Sequence, residues 1–169
     1  AFLLSRQDVR VEAITIVNGV VSVPEGGKNI LRLLELANRP DIPVFLGRET
    51  PMTGSAQFLD EWRRASNEPP GVTLPITMRA VESLSATAYL SKRLTDTAHP
   101  VQVLALGPLT NLAEVFSHVP RNARAIRQLV IMGGAVRVPG NLANDGKFKT
   151  DNTSAEWNIF ADPSAAKAV

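Results

Sequence analysis

The sequence predicts an α/β protein: a mostly parallel open sheet with helices on both faces, incomplete at both ends. Three observations carry that reading. Short β-branched or apolar runs alternate with segments of helical period along the 169 residues. The runs over 101–106 and 128–132 are almost continuously apolar, the pattern of strands covered on both sides. Most runs end on glycine and lead towards a helix signal, as strands in βα units do. No repeat, low-complexity tract or interdomain linker interrupts them, so residues 1–169 are read as one domain.

The elements follow in order. Residues 1–4 are an apolar half-helix, and 9–17, rich in β-branched residues, a buried strand. The spacing predicts a helix over 22–38, with Ile30, Leu33, Leu34 and Ala37 inward and Asn38 closing it. A short strand over 43–46 follows. Prolines and glycines break the periodicity of 48–75, leaving one short helix around 57–65; an irregular stretch of this length is usually functional or mobile. Residues 77–94 read as an amphipathic helix, 101–106 as a strand, 108–116 as a helix and 121–126 as a short one. After the strand 128–132 comes a polar loop over 137–154, then an extended stretch over 157–160. Asp162 is a good N-cap and Pro163 a good first residue for the final helix. Both ends read as cuts through helices, so the chain is expected to be part of a longer polypeptide.

Composition narrows the function. Eighteen basic and 16 acidic residues leave a formal charge of +2, too small and dispersed for a nucleic-acid surface. Arg121, Arg124 and Arg127 recur at helical spacing and read as a solvated face. The absence of cysteine excludes disulfides, thiolate metal sites and a cysteine nucleophile within these residues. No apolar run is long enough to cross a membrane and no signal peptide is read; a cytoplasmic location is expected. His99 and His118 read as surface residues.

In open parallel sheets ligands bind beyond the carboxyl ends of the strands. Asn18-Gly19, the segment from Leu106 to Asn111, and Met132-Gly133-Gly134 occupy such positions. The Leu106 carbonyl could ligate a hard cation such as Ca²⁺, or Thr110 and Asn111 could simply satisfy local backbone groups. Asn141, Glu156 and Asn158 are the most suggestive polar set. On an extended chain, 156 and 158 would share a side, offering a carboxylate and an amide to the cis hydroxyls of a sugar. Trp157 would point the other way, as core or as pocket wall.

These residues lie in recognisable blocks. The run from Val130 to Asn141 (VIMGGAVRVPGN) and that from Ala155 to Pro163 (AEWNIFADP) closely resemble the inosine-uridine-preferring nucleoside hydrolase family. Leu104 to Asn111 (LALGPLTN) and Ala13 to Val17 (AITIV) are similar to two further blocks of it. The resemblance implies a nucleoside hydrolase fold, Rossmann-like, and a calcium-dependent hydrolase that cuts ribonucleosides to ribose and free base, in purine and pyrimidine salvage. It also implies a homodimer or homotetramer, with no nucleic-acid or membrane partner. By resemblance Asn141, Glu156 and Asn158 would hold the ribose hydroxyls, Met132 would pack beneath the ribose, and Trp157 would take the place of a pocket aromatic. The main-chain carbonyl of Leu106 would be one calcium ligand.

The departures matter as much. The family's aspartate-rich metal motif, which carries the general base, is expected upstream of Ala1, and a later His-Asp pair beyond Val169. Val20 stands where the family usually has asparagine, while Asn18 sits two residues earlier; either Asn18 substitutes for that contact or the contact is lost. A sugar- or nucleoside-binding pseudoenzyme of the same fold is the alternative. A dinucleotide-binding domain is disfavoured, because Gly133-Gly134-Ala135 is not a G-x-G-x-x-G turn.

Overall fold

The computed structural model describes residues 2–55, 58–67, 71–143 and 146–169. Ala1 and Gln57, the expected first residues of two helices, lie outside them. Four strands are present among the described residues: β1 (Ile14–Ile16), β2 (Val44–Leu46), β3 (Val101–Ala105) and β4 (Ile126–Ile131). They pair in parallel, β1 with β2 and β3 with β4, and among the described residues nothing closes into a barrel. Six helices accompany them: α1 (Val23–Leu36), α2 (Asp60–Ser66), α3 (Ala86–Arg93), α4 (Thr110–His118), α5 (Trp157–Ala161) and α6 (Pro163–Ala168). Residues Phe2–Ser5 and Pro120–Ala125 are 3₁₀ turns.

The α/β class and the parallel open arrangement agree with the sequence reading, and so do most boundaries. The inward face of α1 agrees in part: Leu34 is buried and Ile30 packs against the core as read, but Leu33 and Ala37 are exposed. Val23, Gly27, Leu31 and Leu34 are buried, whereas Leu33 and Leu36 are exposed. Leu31 and Leu34 of that i, i+4, i+8, i+11 row pack with Ile14 and Ile16 of β1, Val44 of β2 and Ile42 just before it. On the opposite side of β2, Phe45 stacks on Tyr89 of α3, ring centroids 4.1 Å apart, so this strand is covered on both faces. Leu109, which precedes α4, Leu112 and Ala113 within it, and Ala165 of α6 cover Val103, Ala105 and Leu129 of the other pair. The reverse side of that pair, with Leu104, Val130 and Met132, is exposed among the described residues, although its apolar runs read as covered on both sides.

Besides β1, which takes up only Ile14–Ile16 of the expected 9–17 and is half-buried rather than buried, two segments depart from the sequence reading. Helix is found only over Ala86–Arg93 within 77–94. The residues before it run beside β2: the Glu82 N–H donates to the Val44 carbonyl, Ser85 bridges Leu46 in parallel, and Arg79 donates to the Ile42 carbonyl. Helix there would leave that edge of β2 unpaired. Ser85, whose hydroxyl accepts from the Ala88 N–H at 3.1 Å, is the cap that starts α3. The second departure is 157–160, which is helical rather than extended; its consequences concern the site.

The two strand pairs meet at their carboxyl ends. The Ile16 carbonyl accepts both the Gly47 N–H at 2.8 Å and the Asn111 amide at 3.0 Å. A methyl group on Gly107 would lie 2.9 Å from the Val17 side chain, so the turn after β3 abuts the end of β1. Behind this junction Asp162 is almost completely buried. Its carboxylate accepts from the Thr110 hydroxyl at 2.6 Å, the Met52 N–H at 2.9 Å and the Ala165 N–H at 3.0 Å. It therefore joins the start of α4, the loop after β2 and the cap of α6, a larger role than the N-cap read from the sequence. Removing that carboxylate strands three donors, two of them tied to distant segments. Asp162→Ala is expected to lower unfolding stability by about 3 kcal/mol in urea, and Asp162→Asn, which keeps one acceptor, by less. A loss below about 0.5 kcal/mol for the alanine variant would show that the carboxylate is not this anchor.

Candidate active site

The candidate residues converge beyond the carboxyl ends of β3 and β4. The turn after β4 begins with Gly133 and Gly134, and Gly134 has φ +84°, which L side chains rarely adopt. This turn lets the backbone close on Glu156: the Gly134 N–H donates to Glu156 Oε2 at 3.1 Å, and a Cβ on Gly133 would sit 3.2 Å from the same oxygen. Glu156 is the N-cap of α5. Its Oε1 accepts from the Asn158 N–H at 3.0 Å and its Oε2 from the Ile159 N–H at 3.3 Å. One carboxylate thus takes three backbone donors from two segments. Of the roughly four acceptor directions a carboxylate has, one is left.

This replaces the expectation that 156 and 158 share one side of an extended chain. Glu156 caps a helix and Asn158 lies in its first turn. The five-residue helix is too short to display a helical period, and its aromatic and β-branched residues imitate a strand. Glu156 and Asn158 still converge, through the cap rather than through strand alternation.

Asn158, 8% exposed, donates its amide to the Met132 carbonyl at 2.9 Å and, at a longer 3.5 Å, to the Leu106 carbonyl. Both partners are acceptors, so the Asn158 NH₂ must face them and Oδ1 is the group it can offer elsewhere. Asn141 is oriented oppositely. Its Oδ1 accepts from the Trp157 N–H at 3.0 Å, which leaves its NH₂ to donate. The backbone beneath it is pinned by pairing with the incoming chain, Gly140 to the Thr153 carbonyl and Asn141 to the Ala155 carbonyl. Gly140 has no room for a side chain, since an added Cβ would collide with the Ala155 backbone.

Trp157 is 7% exposed and forms the middle of an aromatic cluster rather than an open wall. Phe58 stacks on it at 5.1 Å between centroids, and Trp62 and Phe148 meet it edge-on at 5.0 Å. Val20 packs against this cluster, so the residue standing in for the family's asparagine serves the core. Asn18 is 3% exposed, and its Oδ1 accepts from Arg63 Nη2 of α2 at 2.5 Å. The turn 17–20 therefore lies between Gly107 and the Trp157 cluster. Met132 is half exposed and its side chain is open to contact, while its carbonyl holds Asn158. Leu106 is also exposed, at the end of the β3 run. His99 and His118 are exposed, as are Arg121, Arg124 and Arg127.

The structure thus brings Leu106, Met132, Asn141, Glu156 and Asn158 into one hydrogen-bonded unit, with Asn18 on the adjoining turn. Sequence reasoning missed Arg63, for which no local signal exists, and the use of Gly133-Gly134 to reach Glu156. As a metal site the unit is incomplete. The Leu106 carbonyl is a hard oxygen donor, but Ca²⁺ takes six to eight oxygens, and Glu156 is largely spent on N–H groups. No group of three or more His, Asp or Glu among the described residues could hold a metal ion.

The inosine-uridine preferring nucleoside hydrolase model matches residues 1–169. The chain belongs to that family. Its relatives include uridine nucleosidase 1 of Arabidopsis thaliana, 34% identical over 100% of this chain and 48% of that protein. The pyrimidine-specific ribonucleoside hydrolase RihA of Salmonella typhi is 34% identical over 98% of the chain and 50% of its own length. Among solved structures, the plant nucleoside hydrolase PpNRh1 superposes with a TM-score of 0.81 at 32% identity, over 99% of this chain and 50% of that one. The purine-preferring ribonucleoside hydrolase from Gardnerella vaginalis gives 0.84 at 26%, over 99% and 51%. The chain spans about half the length of the relatives it matches. These proteins are hydrolases of nucleosides by name, and this chain shares their fold.

Because Glu156 gathers three backbone donors, it should matter to stability. Glu156→Ala is expected to lower stability by about 1–3 kcal/mol in urea, with Glu156→Gln, which keeps one carbonyl acceptor, nearer to the parent. Equal stability of the alanine variant and the parent would contradict the cap described above.

Proposed function

We propose that the complete protein hydrolyses the N-glycosidic bond of ribonucleosides, giving ribose and free base, and that this chain supplies its ribose pocket. The observation that carries the reading is the fixed polarity of the converging side chains. Asn141 and Asn18 have N–H donors to offer; Asn158 and Glu156 have oxygen acceptors. Hydroxyl groups both donate and accept, so a mixed set of this kind suits a polyol better than an anion or a base edge. Met132, half exposed beside it, is placed to pack against the apolar face of a sugar ring.

In this reading the residues act by holding the sugar. Departure of the base leaves oxocarbenium character on the ribose, and hydroxyls bonded to Glu156 and to the asparagines are kept in the geometry that state requires. The Glu156 carboxylate lies at the electron-poor ring, where negative charge favours developing positive charge. Water adds to the anomeric carbon as the bond to the base breaks; the water's proton and the leaving base both need acid–base partners. Glu156 and Asp162 are engaged with N–H and O–H donors; as the family resemblance implies, the general base would be an aspartate from outside this chain. Calcium is the finer part of the proposal. The Leu106 carbonyl would be one of its ligands, and carboxylates from outside the described residues would supply the others. The variety of bases in the relatives' names is consistent with a ribose pocket that is shared while base contacts differ.

The same consumption of carboxylates supports a second reading, a nucleoside- or sugar-binding protein without hydrolysis. The two separate on one measurement. The complete gene product, supplied with Ca²⁺, is expected to release free base from uridine or inosine, read by chromatography of the products. Binding of D-ribose with no base released from either nucleoside would favour the binding protein. Calorimetry should show tight calcium binding by the complete gene product and only weak binding by residues 1–169. Equally tight binding by both would show that the ligands lie within the described chain after all.

A further inference from the structure

We infer that Arg63 is a positioning residue for the ribose pocket, acting through Asn18; the inference rests on the ribose reading above. Arg63 comes from α2, in the irregular stretch after β2, and reaches the turn that follows β1. Its Nη2 donates to Asn18 Oδ1 at 2.5 Å and to the Gly19 carbonyl at 3.2 Å. Two acceptors on one nitrogen fix the turn and the side chain it carries.

The consequence for Asn18 is chemical. A guanidinium has donors only, so the atom facing it must be the amide oxygen. The amide nitrogen is therefore the group Asn18 can present, and it can only donate. Without Arg63 the amide could turn over and offer either end. With it, Asn18 has one polarity, as Asn141 has through the Trp157 N–H.

Position supports the same role. Val17 abuts Gly107, one residue beyond the Leu106 carbonyl, and Val20 packs on the cluster around Trp157. The turn carrying Asn18 thus lies between the two segments that frame the pocket. Asn18 is 3% exposed, so its orientation is set by protein neighbours. The contact is also not the default for an arginine. Arg63 Nε is buried with no partner, an unfavourable arrangement that a side chain extended into water would avoid. Its neighbour Arg64 is exposed and serves as an internal control.

The two tryptophans of the chain, Trp62 and Trp157, both sit in the adjoining cluster, so their fluorescence can report D-ribose binding without turnover. The test uses the complete gene product and seven variants. Arg63→Met keeps the apolar stem and removes the donors. It is expected to weaken D-ribose about fivefold and to raise KM for a ribonucleoside similarly, with kcat within about twofold. Arg63→Lys, which keeps a charged donor, should recover part of the loss, and Arg64→Met should change nothing. Asn18→Asp retains an acceptor for Arg63 but loses the donor; it should melt no lower than the parent yet bind ribose about fivefold more weakly. The double variant Asn18→Ala, Arg63→Met should bind no more weakly than Asn18→Ala alone, because one acts through the other. Parent-like ribose binding by Arg63→Met or Asn18→Asp, or additive losses in the double variant, would overturn the assignment. Glu156→Gln separates the two levels: parent-like ribose binding and turnover there would remove the ribose reading itself. Losses in Glu156→Gln beside a parent-like Arg63→Met would remove only the role of Arg63.

Discussion

The candidate site depends on one carboxylate bonded to backbone. Glu156 holds the N–H groups of Asn158 and Ile159 at the start of α5 and that of Gly134 at the end of β4. Those two segments are separated by a long polar loop, and nothing in their own secondary structure would bring them together. A short helix has little stability of its own, and its first N–H groups lack intrahelical partners. A carboxylate at that end satisfies them and is favoured by the partial positive charge there. By also binding Gly134, it sets how closely the β4 turn approaches the helix. The positions of Asn158 and of the carbonyls of Met132 and Leu106 follow from that closure.

The frame behind the site is of two kinds. One is apolar: Trp157 with Phe58, Trp62, Phe148 and Phe160, which joins α2, α5 and the loop after β4 into one packed body. The other is polar and buried, the Asp162 carboxylate that joins α4, α6 and the loop after β2. The two stand on neighbouring elements, since α5 ends at Ala161 and Asp162 caps α6. A chain with few aromatic residues concentrates most of them at this point, where large rigid surfaces hold loops that lack regular hydrogen bonding.

Much of this was legible in the sequence because its causes are local. Strands β2 and β3 announce themselves as largely apolar runs bounded by Pro and Gly, β4 by its apolar end before Gly133, and Asp162-Pro163 marks the start of α6 in the standard way. The family blocks point to the residues that converge. What failed were elements decided by partners far along the chain. Residues 77–85 have an acceptable helical pattern, and they are not helical because β2 offers Glu82 and Ser85 backbone partners. Trp157 to Ala161 looks like a strand by composition, and it is helical because Glu156 caps it and Asp162 follows with a second cap. Arg63 carries no mark at all, since its importance lies in a contact 45 residues away in sequence.

The fixed polarity of the asparagines explains why amides suit this pocket. A hydroxyl side chain can rotate its proton, and a carboxylate can only accept. An amide carries both functions at opposite corners, so a protein group that claims one corner determines what the other presents. The Trp157 N–H claims the oxygen of Asn141, and the Met132 and Leu106 carbonyls claim the nitrogen of Asn158. Aspartate at 158 would place a negative oxygen against those two carbonyls, and leucine at either position would take away the side-chain partner of those backbone groups. The same residues therefore complete the fold's own hydrogen bonding and define the donor and acceptor pattern offered to a ligand. On the proposed ribose reading, polarity set by backbone groups of this kind would already be in place before a sugar arrived, so little reorientation would be required on binding.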